Sequence, residues 1–297
     1  PTGGLRRSAP LRRYCRRRPR GTLSGGDTDG AHMRSTGKAL GGAVAAAGFG
    51  LLMWCGITTA LLQLRPGGAT ALSLVQGPGL VLGVLIAATG AAAAGRARAW
   101  REHSGLLGIG ALLVACLLAV SLHGGLALRA PTAVGVLGVL LVLLAFGAIA
   151  AESVASNGPQ ARPRPLQVPI QLLFAMATGL GLLYLLMEQR LGAAGDGRLM
   201  LATLLGLGVV LALCHVVDGR PGLVPPPASP LRRRAQVPGL LVAGPVLALL
   251  LGTWLPATVS LAMATLALLA AAWLDRAGST HHPRVTAHPE RAADHGI

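Results

Sequence analysis

Charged residues are scarce in this chain of 297 residues: Asp, Glu, Lys and Arg together make up 12% of it, where a soluble domain carries about 25%. Aromatic residues are also rare, at 3%, and the 10 acidic residues are outnumbered by 26 basic ones. This composition excludes an ordinary soluble domain. Apolar residues are plentiful instead, at 53%, and there are 42 glycines.

The chain has four cysteines and no C-x-x-C pair. Cys55, Cys116 and Cys214 each stand alone in a different apolar segment, and Cys15 lies near the start of the chain. Such spacing gives neither a disulfide framework nor a set of metal ligands. We therefore expect no bound metal in this chain and no chemistry from its thiols.

Long apolar runs fill the chain between Gly41 and Asp275. Many approach the roughly 20 helical residues that cross a hydrocarbon layer of about 30 Å. Backbone amides in lipid must find partners within their own segment, and the alternation typical of a membrane barrel is missing, so each run is predicted to be a helix. The eight predicted spans are Ala39 to Leu62, Pro78 to Gly95, Gly105 to Leu122, Ala133 to Ala151, Val168 to Met187, Leu199 to Val217, Val237 to Trp254 and Ala257 to Leu274.

Arginine is distributed unevenly among the connections between these spans. Cytoplasmic loops of membrane proteins are enriched in Lys and Arg, and here the even-numbered connections and both ends of the chain hold most of them. The odd-numbered connections hold few, and the seventh, a tight turn at Pro256, holds none. We predict an all-α integral membrane protein, a bundle of about eight transmembrane helices in a bacterial inner (plasma) membrane, with both termini cytoplasmic.

Two polar segments flank the predicted bundle of residues 39–275: a basic N-terminal arm, 1–38, and a C-terminal tail, 276–297, both expected to be disordered. The arm has eight arginines before residue 21. It is interpreted as disordered sequence or as translated sequence upstream of a start at Met33, and alternatively as an arm that binds anionic lipid or nucleic acid. Only Tyr14 interleaves the arginines, so no nucleic-acid partner is expected.

Ionisable residues are nearly absent from the helix centres, which argues against a proton-driven transporter with a carboxylate at mid-depth. A b-type haem would need two histidines facing each other at one depth. His123 ends the third span on the outer side, whereas His215 is near the inner end of the sixth. His103 shares the inner side but belongs to a charged loop, so no haem is expected.

Ionisable side chains collect instead at the inner ends of the spans. They are either helix ends that meet water, with arginines that extend to the headgroups, or a shallow pocket where a hydrophobic molecule from the lipid meets proton acceptors. A quinol-oxidising site needs the second arrangement, because quinol loses protons as well as electrons. The candidate proton acceptors are Glu102, His103 and Glu152, and the candidate pocket rim is Arg98, Trp100, Arg101, His215 and Asp218.

Several stretches resemble the membrane anchor subunit of dimethyl sulfoxide reductase-type molybdenum enzymes, the DmsC-like family. AAAGFGLLMWCG, Ala45 to Gly56, is similar to the glycine-aromatic-glycine run in the first helix of that family. GRARAWRE, Gly95 to Glu102, resembles a shortened form of the segment that follows its second helix, and ESVASNGPQARPRP resembles its loop after helix four. The resemblance extends over most of Gly41 to His282.

The resemblance implies a complex of three parts: a molybdopterin catalytic subunit, an iron-sulfur subunit and this chain as their membrane anchor. The anchor would exchange electrons with quinone or quinol, bound as a substrate, and would hold no redox metal of its own. Two other interpretations stay open at this point, namely a cofactor-free permease and a structural or assembly protein of the membrane.

Overall fold

The computed structural model describes residues 26–63, 68–95, 103–124, 130–156, 166–192, 197–218 and 231–279. These residues form eight α-helices and no strand, so the prediction of an all-α protein with about eight helices is confirmed. The helices are α1 (Gly26–Gln63), α2 (Gly68–Ala93), α3 (His103–His123), α4 (Pro131–Ser156), α5 (Gln167–Leu191), α6 (Gly197–Asp218), α7 (Leu231–Leu251) and α8 (Ala257–Ser279).

Seven of the helices are long and apolar enough to cross a membrane. The apolar part of α7 is shorter, Gln236–Leu251, because arginines occupy its first turn. The outward faces carry large apolar side chains, of which Leu113, Leu143, Leu213 and Leu266 are each at least 60% exposed. Water disfavours such a surface and lipid accepts it, so the chain is a multi-pass membrane protein.

The helices form two four-membered rings. In the first, α1 contacts α2 and α4, and α3 closes the ring between them; in the second, α5 contacts α6 and α8, and α7 closes it in the same way. The two rings meet along α1 and α5. Successive helices alternate in direction, so α1 begins and α8 ends at the same end of the bundle, here called the inner end.

The contact between α1 and α5 depends on glycine. Gly50 lies on the backbone of Ala175, and Gly179 lies on the backbone of Gly50. A Cβ atom on either glycine would overlap that backbone. Small residues at a crossing let two membrane helices approach closely, which gains dispersion contacts where lipid provides no hydrophobic driving force. Trp54 Nε1 adds a hydrogen bond of 2.9 Å to the carbonyl of Met176.

Several helix boundaries differ from those predicted, and three of the differences affect the description of the bundle. The expected disordered arm of residues 1–38 is helical from Gly26 onward, whereas residues 1–25 lie outside the described part. α2 begins at Gly68 with Pro78 inside it, because a proline ten residues into an apolar run can be accommodated by the neighbouring helices of a membrane bundle. α8 continues to Ser279, so Arg276 belongs to the bundle and not to the predicted tail.

The predicted tight turn between the last two helices is confirmed. α7 ends at Leu251, and the backbone N–H groups of Trp254 and Leu255 both donate to the Leu251 carbonyl, at 2.8 and 2.9 Å. Pro256 then precedes the first residue of α8. Trp254 is 87% exposed at this turn, which suits an aromatic side chain at the membrane-water boundary.

Candidate functional site

Polar side chains from four helices meet at the inner end of the bundle. They come from the end of α4, the second turn of α5, the last turn of α6 and the last turns of α8, positions that alternation in helix direction places at one depth. Between them run three hydrogen bonds and one longer contact between ionisable groups. The members of this inner-end cluster are Glu152, Gln171, His215, Asp275 and Arg276.

Arg276 connects the two rings of helices. Its Nη1 donates a hydrogen bond of 2.7 Å to Oε1 of Glu152 on α4, in the first ring. Its Nε donates one of 2.9 Å to Oε1 of Gln171 on α5, in the second ring. The side chains of Arg276 and Glu152 are each 13% exposed, so this is a largely desolvated, charge-assisted pair.

Gln171 lies between Arg276 and Asp275 and forms a hydrogen bond with each. Its Nε2 donates a hydrogen bond of 2.7 Å to Oδ2 of Asp275. The residue is 7% exposed. Both the nitrogen and the oxygen of its amide have a hydrogen-bond partner inside the protein. A buried glutamine with both amide atoms satisfied has one orientation available.

His215 lies beside Oδ1 of the Asp275 carboxylate. Its Nε2 is 3.8 Å from Asp275 Oδ1, longer than a hydrogen bond, and it is buried with no hydrogen-bond partner. The ring of Phe174 packs edge-on against the imidazole, with centroids 5.6 Å apart. The His215 side chain is 16% exposed, so its accessible surface belongs to ring atoms other than Nε2.

The residues predicted from the sequence fall into three groups. Glu152 and His215 belong to the inner-end cluster, and Asp218 ends α6 one turn beyond His215, half-buried. His103 is the first residue of α3, and its side chain lies outside the described part. Four more candidates also lie outside the described residues, namely Arg98, Trp100, Arg101 and Glu102.

Three members of the cluster are absent from the sequence-based candidates: Gln171, Asp275 and Arg276. Asp275 and Arg276 follow the predicted end of the last span, where charge ordinarily marks the return to water. The signal that could have identified them is their adjacency, an acid and a base together at the end of an apolar helix. Gln171 could have been noticed as an amide side chain in the apolar second turn of α5.

A second polar group lies at the opposite, outer end. Gln76 Nε2 donates to Thr58 Oγ1, and Gln76 Oε1 is buried without a partner. His123 lies nearby against Gly77, and its Nδ1 is 2.8 Å from the Ala119 carbonyl. His123 and His215 are thus at opposite ends of the bundle, as predicted. Across the described ranges, no group of three or more His, Cys, Asp or Glu residues could hold a metal ion.

The fold and the cluster together define a class: a multi-pass helical membrane protein with a polar, ionisable site at one end. Comparison with known proteins does not refine that class, since the chain matches no protein-family model, no curated protein and no solved structure.

Proposed function

We propose that this protein is the membrane anchor and quinone- or quinol-reactive subunit of a molybdopterin oxidoreductase complex in the bacterial inner membrane. It passes electrons between the quinone pool and an iron-sulfur subunit, which in turn serves a molybdopterin catalytic subunit. The observation that carries the proposal is the pair His215 and Asp275, a partly accessible imidazole beside a carboxylate at the boundary between lipid and water.

The pair suits quinol because quinol enters from the lipid and must lose protons when it is oxidised. A quinol reaches the inner end from the lipid, and its two hydroxyl groups stop at the depth of polar side chains. Oxidation breaks two O–H bonds and removes two electrons, so the site needs a proton acceptor at the ring edge. The accessible part of the His215 ring provides one, and Asp275 stabilises the imidazolium that forms.

The two protons and two electrons that quinol loses each need an acceptor. One quinol yields one quinone, two protons and two electrons. His215 takes the first proton, and Glu102 and His103, in or next to the arginine-rich second connection, are the candidates for the second. The iron-sulfur subunit accepts the electrons one at a time at the same end of the bundle. Arg98, Trp100, Arg101 and Asp218 complete the proposed rim.

Glu152 has a different role in this proposal from the one its sequence position suggests. Its carboxylate already accepts a hydrogen bond from Arg276, and protonating it would break a charge-assisted pair. A carboxylate in that position is a poor proton acceptor. We therefore assign Glu152 to holding Arg276, and through it the connection between the two rings of helices.

The test uses the complex purified from its native membrane through a tag on this chain. Two larger soluble subunits should co-purify, and the complex should oxidise a short-chain quinol. His215→Ala should lower quinol-dependent turnover by about 10²-fold or more, the scale for losing a positioned proton acceptor. Turnover with an artificial soluble electron donor should be retained, because that route bypasses the membrane site.

His123→Ala is the matched control, since it removes a histidine from the last turn of α3, in the other ring of helices and at the opposite end of the bundle. It should leave both activities unchanged. Equal turnover with quinol in the wild type and in His215→Ala would overturn the proposed site. Purification of the chain alone, without larger subunits, would overturn the role as an anchor.

The permease alternative is favoured by one observation, the two rings of four helices. Some transporters are built from two parallel repeats that move against each other. In this arrangement Gly50 and Gly179 would form the pivot, and the pair Glu152 and Arg276 would close the inner side. A chain that purifies alone and transports a solute into vesicles at a rate increased by Glu152→Gln would support the alternative.

A further inference from the structure

In the inner-end cluster, Arg276 determines which atom of its neighbour donates and which accepts a hydrogen bond. A guanidinium can only donate hydrogen bonds, so the atom of Gln171 that faces Arg276 Nε must be the carbonyl oxygen. The amide group of Gln171, the NH₂, is thereby directed to Asp275. This orientation, normally a choice of assignment in a structure, is fixed here by the arginine.

The amide group of Gln171 in turn orients the carboxylate of Asp275. Its Oδ2 accepts the hydrogen bond from Gln171, and this bond holds the plane of the carboxylate so that Oδ1 is the oxygen nearest His215. An ionised carboxylate only accepts hydrogen bonds. Whichever atom of His215 faces Oδ1 is therefore stabilised there as an N–H group, whereas a lone pair would be repelled.

The atom of His215 that faces Oδ1 is Nε2, 3.8 Å away and buried. This distance is too long for a hydrogen bond, but the negative charge of the carboxylate still favours the proton on the nitrogen that faces it. An Nε2–H group would explain why this nitrogen is buried against a carboxylate, and it leaves Nδ1 as the nitrogen with a lone pair.

We infer that Asp275 fixes the neutral His215 ring in the tautomer with the proton on Nε2, so that Nδ1 is the proton acceptor, and that Gln171 and Arg276 are positioning residues acting through Asp275. The role of Nδ1 as the base rests on the proposed function, whereas the tautomer does not. In the reaction a quinol O–H bond breaks and an Nδ1–H bond forms, and the positive charge of the imidazolium lies beside the Asp275 carboxylate. The second hydroxyl proton goes to the other acceptor assigned under the proposed function, and both electrons leave for the iron-sulfur subunit.

The tautomer can be measured directly by nitrogen NMR. The full-length chain, labelled with ¹⁵N-histidine, is studied in lipid nanodiscs without quinol, at a pH where the His215 ring is neutral. The His215 signals are assigned as those missing from His215→Gln. The expected result is a protonated Nε2 and an unprotonated Nδ1.

Two variants test the positioning residues. Asp275→Asn offers an amide group instead of the carboxylate, and Gln171→Leu removes the hydrogen bond that orients it; both should shift the tautomer population toward protonated Nδ1. Gln76→Leu, which alters a buried glutamine at the opposite end, should leave the population unchanged. In turnover assays Asp275→Asn should lower kcat with quinol while KM changes little, because the site keeps its shape and loses its base.

A protonated Nδ1 in the wild type would overturn the inference, whatever the Asp275 and Gln171 variants do. An unchanged tautomer in a folded Asp275→Asn protein would overturn it as well. These outcomes are distinct from a failure of the proposed function, because the tautomer is measured without quinol or partner subunits. Loss of the quinol site would leave the NMR result standing, and the reverse also holds.

Discussion

Arg276 carries more of the inner-end structure than any other side chain described here, since its guanidinium donates to Glu152 on one ring of helices and to Gln171 on the other. Buried ion pairs add little net stability when compared with apolar residues of the same shape, but removal of one partner leaves the other charge unpaired in a poorly solvated place. The consequence should be visible in a single variant.

Arg276→Met should lower the free energy of unfolding by about 2 to 4 kcal/mol, somewhat under the cost of breaking a fully buried pair because both partners keep slight exposure. The measurement is unfolding in detergent micelles. Arg190→Met is the control, since Arg190 is exposed at the far end of α5 and should change stability little. Equal stability of the two variants would contradict the role assigned to Arg276.

Of the four ionisable side chains in the cluster, the sequence indicated two, His215 and Glu152. Each could be predicted because it is an ionisable residue near the inner end of an apolar helix. That Glu152 pairs with Arg276, and that Gln171 stands between Arg276 and Asp275, could not be predicted. Those contacts depend on how α4, α5 and α8 pack, and apolar faces of nearly uniform Leu, Ala and Gly leave that packing unspecified.

Among the elements, α1 and α5 are central because the two rings of helices meet through them. Alanine normally stabilises a helix relative to glycine by roughly 0.5 to 1 kcal/mol. At Gly50 that gain is reversed, because a methyl group would occupy the position of the Ala175 carbonyl oxygen and force the helices apart. The same substitution should therefore have opposite effects at packed and open glycines.

Gly50→Ala should destabilise the protein or prevent its accumulation in the membrane, because the rings can no longer pack closely. Gly206→Ala is the matched control, since Gly206 lies in the middle of α6 with no atom near its would-be Cβ. It should be neutral or slightly stabilising. Thermal unfolding in detergent and the amount of membrane-inserted protein measure both variants. Equal tolerance of the two changes would show that the crossing is not tightly packed.

In α7, one backbone carbonyl has no hydrogen-bond partner within the helix. Pro245 lacks an N–H group, so the carbonyl of Leu241 loses its helical partner. Gly208 on α6 lies against that carbonyl, where a Cβ atom would overlap the oxygen. A proline within a helix is visible in the sequence, but the glycine that packs against the carbonyl it leaves without a partner becomes visible only in the assembled bundle.

In the whole molecule, contacts between helix ends show which ends lie on the same side of the bundle, which hydropathy alone does not show. The contact between Gln171 at the start of α5 and Asp275 near the end of α8 places these two ends on one side of the bundle. Seven helices satisfy length and apolarity by themselves, and α7 has the shortest apolar part. Its antiparallel packing between α6 and α8 is consistent with an eighth crossing.

Reporter fusions test this topology. A reporter after Arg234 or at the C-terminus should face the cytoplasm, and one after Arg129 should face the outside, because arginine is concentrated in the predicted inner connections. A C-terminal reporter on the outside would mean that α7 does not cross, and the count of eight spans would then be wrong.

The central claim, a quinol site at the inner end beside His215, is tested most directly by photo-crosslinking. A quinone carrying a photoreactive group is added to the purified complex, and the labelled peptides are identified by mass spectrometry. We expect adducts in the last turn of α6 or the first turns of α5, suppressed by excess unlabelled quinone and lost in His215→Ala. Competable labelling confined to the outer end, near His123 and Gln76, or no competable labelling at all, would contradict it.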